Sequence, residues 1–281
     1  RRHHRELQVA AGIHSALEAN RFRLFAQEIR ALAPEAGGTP PASTTASSSA
    51  SASASMPASA SASASASASA SPAASSPPTH IEILVRMVDE HGSLVMPGAF
   101  IPAAERYDLM GHVDRWVIQH VLRDFGARLL AVPGLSGSIN LLPFLHAELS
   151  NSVLPASRIR LEITETALIN NMAAANRLVA DMRKAGCTMA LDDFGAGLSS
   201  FAYLKQFPVD YLKIDGSFIR HLAASAVDRE IVSSINDIGH RLGIRTVAES
   251  VEDEATLDVL REIGVDYAQG YAIGRPMPLE D

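Results

Sequence analysis

The chain has 281 residues, 47% of them hydrophobic and 20% charged, a composition that excludes a fibrous or wholly disordered protein and allows a sizeable core. A formal net charge of −7 excludes broad electrostatic binding to a nucleic-acid polymer. It leaves room for a small anionic substrate, because bound metal reverses the local charge of an acidic cleft. The single cysteine, Cys187, excludes an internal disulfide and reads as a small buried apolar residue.

In chain order, residues 1–20 predict an amphipathic connector helix, with Leu7, Ile13 and Leu17 as a loose apolar stripe. The Arg-His start reads as solvated surface, since no third ligand stands at helical spacing. Arg21–Ile29 alternates apolar and polar residues and predicts a strand. Residues 39–79 are almost entirely Ser and Ala with a few Pro and Thr. Such a stretch buries too little apolar surface to offset the entropy of ordering, so it predicts a disordered insertion. A long Ser/Ala helix is the alternative, opposed by Pro57 and Pro72.

From residue 80 onward, strand-like runs alternate with helical ones. The strands are Ile81–Arg86, Gly137–Leu141, Arg158–Thr164, Thr188–Asp192, Tyr211–Ile214, Arg245–Ala248 and Val265–Ala268. Helical patterns fall near 114–130, 172–185, 226–242 and 254–263, and Gly186, Gly243 and Gly264 stand where helices end. The alternation predicts parallel βαβ units and, with seven or eight strands, a closed TIM-like (β/α) barrel over 21–281. An open doubly wound sheet is the alternative. No apolar run approaches the ~18–20 residues needed to cross a bilayer, so no membrane contact is expected of this segment. The lone cysteine and the absence of a signal peptide fit a cytoplasmic location. The chain does not begin with Met and reads as part of a longer protein, whose remainder could carry a membrane anchor.

Polar residues recur along the predicted strands: Glu82, Asn140, Glu162, the pair Asp192 and Asp193, Lys213 and Asp215, Glu249, and Gln269. In a parallel barrel the strand C-termini open on one rim, where barrel active sites are built. Several carboxylates in one cleft repel each other without a counter-charge. Hard oxygen ligands without Cys or His favour Mg²⁺ or Mn²⁺, and the adjacent Asp pair suits two ions sharing a bridging carboxylate.

These residues lie in motifs that resemble the EAL domain, the barrel family that hydrolyses cyclic di-GMP. The signature triplet reads Glu82-Ile83-Leu84, followed by Arg86. The other motifs are INL with Asn140, LEITET with Glu162 and Glu165, LDDFGAGLSS at 191–200, LKIDGSF at 212–218, VAESVE at 247–252 and QGYAIGRPMP at 269–278. The resemblance implies that Glu82, Asn140, Glu162 and Asp192 hold one divalent ion. It implies that Asp192 bridges to a second, also held by Asp193 and Glu249. Lys213 would position or deprotonate the attacking water beside Glu82 and Glu249. Gln269, Arg86 and Gln27 would contact substrate, Glu252 would support the metal cluster, and Asp215 accompanies Lys213 in its motif. Glu165 would fix the 194–200 loop; it reads equally well as an N-terminal helix charge. The implied reaction is in-line attack of water on one phosphorus, giving linear pGpG. The resemblance also implies a homodimer formed through the surface near 194–205, and an upstream domain of the diguanylate-cyclase type.

Several features depart from the family pattern. Glu82 follows Gln27 by 55 positions because of the Ser/Ala stretch, and Glu162 follows Asn140 by only 22, leaving a short helix at most. Ser250 stands where Gly is usual, and Glu28 follows Gln27 where the family has QxP. Two other functions stay open: an EAL domain that senses cyclic di-GMP without cleaving it, and an unrelated barrel metalloenzyme.

Overall fold

The computed structural model describes residues 2–33, 80–140, 148–149, 152–196 and 203–279. The predicted insertion at 39–79 and most of the short 141–157 connection lie outside the described residues.

Helix α1 (Arg2–Glu18) leads into strand β1 (Phe22–Ala31). Its apolar stripe differs from the expected one. Ile13 and Ala16 are buried and Val9 and Leu17 half-buried, whereas Leu7 is 45% exposed. At about 100° per residue, Leu7 lies roughly 240° around the helix from Ile13, off the face that packs on the next helix.

Strand β2 (His80–Val88) is followed by the short β3 (Leu94–Val95) and helix α2 (Pro97–Arg106). The sequence pattern did not predict α2, although Pro97 opens it and Phe100, Ala103 and Ala104 bury one face. The helix expected over 114–130 spans 110–131 in three pieces: α3 (Met110–Gln119), a π-turn (His120–Asp124) and α4 (Gly126–Ala131). The His120 ring Nδ1 lies 2.7 Å from the Trp116 carbonyl. One turn later the ladder has slipped, with Phe125 N–H donating to His120 O at 3.2 Å.

The remainder alternates as the periodicity predicts. Strands β4 (Ser136–Asn140), β5 (Ile159–Thr164), β6 (Thr188–Phe194), β7 (Tyr211–Ile214), β8 (Arg245–Ala248) and β9 (Tyr267–Gln269) are joined by helices α5 (Glu165–Asn170), α6 (Met172–Ala185), α7 (Gly216–Ile219), α8 (Ala226–Arg241) and α9 (Glu254–Ile263). Thr164, Asn171, Asp215, Ser225 and Asp253 accept hydrogen bonds from the first-turn amides of their helices. Gly186, Gly243 and Gly264 all have positive φ at helix ends. Val265, expected to begin the last strand, instead completes the turn after α9, its N–H donating to Leu260 O at 3.0 Å.

Eight strands close in the order β1-β2-β4-β5-β6-β7-β8-β9, and β9 returns to β1. The barrel is therefore TIM-like, and the open-sheet alternative fails. Its pairs are parallel except at β1, which runs antiparallel to both β2 and β9. A short β10 (Met277–Pro278) extends the sheet beside β1. Cys187 is buried, as its apolar setting implied, and burial pushes its thiol up to about 11.

The floor of the barrel is packed. Ile29, Ala190, Tyr211, Val247 and Tyr267 form an inner cluster. His80 meets the rings of Tyr211 and Tyr267 edge-on, and the Arg160 guanidinium lies 3.4 Å from the centre of the Tyr211 ring.

Candidate active site at the barrel mouth

The floor residues locate the site, because side chains two apart on a strand share a face. One inward step along from His80, Arg160, Ala190, Tyr211, Val247 and Tyr267 stand Glu82, Glu162, Asp192, Lys213, Glu249 and Gln269. On the antiparallel β1 the step runs backward, from Ile29 to Gln27. The inward stripe therefore changes from aromatic and apolar to polar within one layer.

Lys213 is the centre of that layer. It is 1% exposed, and its Nζ lies 2.9 Å from Glu162 Oε2, 2.9 Å from Asp192 Oδ1, 2.8 Å from Glu249 Oε1 and 3.6 Å from Glu82 Oε2. Burial opposes the ammonium charge, but Glu162, Glu249, Glu82 and Asp192 together hold its pKa well above the ordinary lysine range. One cation does not balance four carboxylates. Burial raises Glu162 to about 7 and Glu249 to about 8, against the pull of Lys213 and with the help of neighbouring acids.

A β-bulge delivers the aspartate pair. Between β6 and β7 the register passes from Leu191↔Leu212 to Phe194↔Ile214, so three steps on one strand match two on the other. Asp193 takes a left-handed φ of +54° there. Asp192, Asp193 and Glu249 each offer an oxygen within 4.8 Å of the others. Burial and the charges of Asp192 and Asp215 raise the Asp193 carboxyl.

An amide pair closes the opposite wall. Gln269 Nε2 donates to Glu82 Oε2 at 2.5 Å and to Gln27 Oε1 at 3.1 Å, and Gln27 Nε2 donates to Gly274 O at 2.9 Å. Gly270 follows at φ +150°, where any Cβ would collide with the Val251 backbone; a cavity of about 370 Å³ opens beside it.

The other sequence candidates sit around this centre. Glu252 lines the cavity. Asp215 caps α7, its Oδ1 accepting from Ser217 N–H at 2.9 Å. Glu165, 2% exposed, accepts from Gly195 N–H at 3.0 Å and from the Tyr203 hydroxyl at 2.7 Å, so it ties the end of β6 to residue 203. Arg86, buried on the extended β2, feels the charge of Glu82 and the hydroxyl of Tyr271, donates to Val85 O at 2.9 Å and has its guanidinium 5.5 Å from the Phe25 ring centre. Asn140 ends β4 beside Glu162; its side chain lies outside the described residues. Sequence reasoning missed Arg220 and Tyr271, which line the cavity just beyond or within quoted motifs.

The donor set fits a hard divalent cation. Among the described residues Glu162 Oε1 is buried without a hydrogen-bond partner, beside carboxylates that one lysine cannot neutralise.

A family model described as EAL domain matches residues 70–276. The chain belongs to the EAL domain family. This EAL domain is 39% identical over 209 residues to the cyclic di-GMP phosphodiesterase PdeB of Shewanella oneidensis, covering 71% of the chain and 24% of that protein. It is 36% identical over 210 residues to the cyclic di-GMP phosphodiesterase PdeF of Escherichia coli, covering 71% and 28%. The chain thus spans about a quarter of the length of these curated relatives. Among solved structures, the PaMucR phosphodiesterase in complex with c-di-GMP superimposes with a TM-score of 0.76 at 27% identity, covering 97% of this chain and 98% of that one. The FimX EAL domain of Pseudomonas aeruginosa bound to c-di-GMP gives 0.73 at 25%, covering 95% and 96%. The family suggests divalent metals, in keeping with the acidic cluster of this EAL domain. Among the described residues no helix is long and apolar enough to cross a membrane.

Proposed function

We propose that this EAL domain hydrolyses cyclic di-GMP to linear pGpG with the aid of two divalent ions, Mg²⁺ or Mn²⁺. The observation that carries the reading is Lys213 buried among Glu82, Glu162, Asp192 and Glu249, carboxylates contributed by β2, β5, β6 and the residue just after β8. Glu82, Asn140, Glu162 and Asp192 would hold one ion; Asp192, Asp193 and Glu249 would hold the other. Such ions lower the pKa of water and neutralise charge on a reacting phosphate. The chain's own residues do the rest. Lys213 holds its proton firmly and can donate a charge-assisted hydrogen bond to the attacking oxygen. Without metal, burial and the neighbouring acids raise Glu249 to about 8, so ions held there would bind against its proton and more tightly as pH rises. Gln269 and Gln27 present polar groups on the substrate side, and the packed floor excludes water from below.

The deciding experiment incubates the protein with cyclic di-GMP and Mg²⁺ or Mn²⁺ and resolves the products by chromatography, with Glu82→Ala as control. The expected result is metal-dependent pGpG, abolished in the variant. Binding without pGpG would make the domain a sensor, and turnover of some other phosphoester with no cyclic di-GMP binding would sink both readings.

The proposal extends to organisation. Residues 1–20 act as a connector from an upstream cyclase-like domain, and 39–79 is an insertion in the 21–281 barrel. The protein works in the cytoplasm as a homodimer formed near 194–205.

A further inference from the structure

Among the described residues, the cavity at the mouth is lined by three carboxylates, Glu82, Glu249 and Glu252, and by one cation, Arg220. A cyclic dinucleotide brings two phosphate charges to this space. Carboxylate-bound cations can compensate one of them, the phosphate that reacts. The other faces acidic walls and needs a partner of its own.

The two cations expected from sequence, Lys213 and Arg86, are not in the cavity lining. Lys213 lies within 3.6 Å of four carboxylates and is 1% exposed. Arg86 donates to Val85 O, sits near the Phe25 ring and does not line the cavity. Arg220 is exposed, and among the described residues its guanidinium makes no ion pair or hydrogen bond. Its backbone is fixed, because it follows α7 directly and its N–H donates to Gly216 O at 3.0 Å. Its Nη2 lies 3.5 Å from where a Cβ on Gly216 would stand, so the guanidinium folds back over the start of α7 at the cavity wall.

We propose that Arg220 is a specificity-determining residue that binds the phosphate of the cyclic dinucleotide that is not cleaved. The inference rests on the cyclic di-GMP reading above. A guanidinium suits the role because it meets phosphate oxygens bidentately and keeps its charge at any working pH. Arg220 lies seven positions after Lys213 on the same strand–helix unit. A phosphate bound by Arg220 is therefore held on the same rigid element that carries Lys213 among the carboxylates.

The test measures KM and kcat for cyclic di-GMP in the wild type, Arg220→Ala and Arg220→Lys. In parallel it uses bis(p-nitrophenyl) phosphate, a diester with one phosphate. Arg220→Ala is expected to raise KM for cyclic di-GMP roughly five- to twenty-fold with kcat within about twofold, as for loss of one partly solvated charge-assisted contact. Arg220→Lys should recover part of that loss. Turnover of the single-phosphate diester should not change. An unaltered KM for cyclic di-GMP, a fall confined to kcat, or an equal loss on both substrates overturns the proposal. Wild-type protein that neither binds nor cleaves cyclic di-GMP overturns the proposed function instead, a result visible before any variant is made.

Discussion

Ser250 and Gly216 compete for one small volume: a Cβ on Gly216 would stand 2.5 Å from Ser250 Oγ and 2.7 Å from Ser250 Cβ. Ser250 itself sits at a φ of +54°, a left-handed conformation that costs a residue with a side chain roughly 1 kcal/mol. The side chain that the family usually lacks at this position is thus accommodated by the absence of one at 216. Gly216→Ala should destabilise the protein by about 1–3 kcal/mol, the range for forced overpacking. Ser250→Gly alone should stabilise it by about 1 kcal/mol, and adding Ser250→Gly to Gly216→Ala should restore most of the loss. Chemical denaturation of the four proteins forms a double-mutant cycle. Simple additivity would show that the two residues do not share that space.

A second expectation concerns pH and metal. Glu162 and Glu249 are raised to about 7 and about 8, whereas unfolded glutamates titrate near 4.3. The folded protein then binds more protons than the unfolded one, so the stability these groups contribute is lost as pH rises through their folded values. Asp114, raised to about 7 by burial, has the same sign. His80, held neutral down to about 3, acts oppositely, but only below about 6.5, the ordinary histidine value. In chelator, Tm should therefore fall between pH 6.5 and 8.5, and Mg²⁺ or Mn²⁺ should raise Tm more at pH 8.5 than at 6.5. Glu249→Gln should flatten the slope. A metal-free Tm that climbs across this window would contradict the crowded-carboxylate picture.

Much of this architecture is legible in the sequence because barrel and site obey the same two-residue period. Each inner strand carries its floor residue and, one inward step on, its polar group, so the motif spacing reports both. What was missed lies where that period breaks or says nothing. Alternation in Arg21–Ile29 identifies β1 but not its direction, which depends on partners distant in sequence. The bulge at Asp192 and Asp193 adds a residue that no alternation rule anticipates. Leu7 is apolar but off the packed face of α1. Arg220 lies outside any regular strand, and its relevance appears only when the loops after β7 and β8 come together around the cavity.

Glu165 illustrates a role that spacing leaves open and geometry resolves. It is buried rather than a solvated helix charge, and it bridges Gly195 N–H and the Tyr203 hydroxyl. Burial and this carboxylate push the Tyr203 hydroxyl far above its ordinary pKa, so the tyrosine stays a donor. Glu165→Ala strands the buried Tyr203 hydroxyl and the half-buried Gly195 N–H and should cost about 2–3 kcal/mol. Gly195 is two residues from Asp193, so the variant should also lose kcat by more than about tenfold while KM changes far less. Glu165→Gln keeps one acceptor and should fall between. A variant with normal kcat despite lowered stability would show that the tie supports the fold without positioning the aspartates.

The last prediction follows from where the chain leaves and re-enters the barrel. β1 and β2 are antiparallel neighbours, with Ile29 opposite His80 and Gln27 opposite Glu82. Ile29 and His80 belong to the packed floor, and Gln27 and Glu82 to the mouth. The described chain therefore leaves β1 and re-enters at β2 on the floor side of the barrel, at the opposite end of these strands from the carboxylates. Antiparallel neighbours need only a short link, and closure entropy rises only logarithmically with loop length. Excising residues 42–77 should leave kcat and KM for cyclic di-GMP within about twofold and change Tm little. A large loss of turnover with Tm preserved would mean that the Ser/Ala segment takes part in the site.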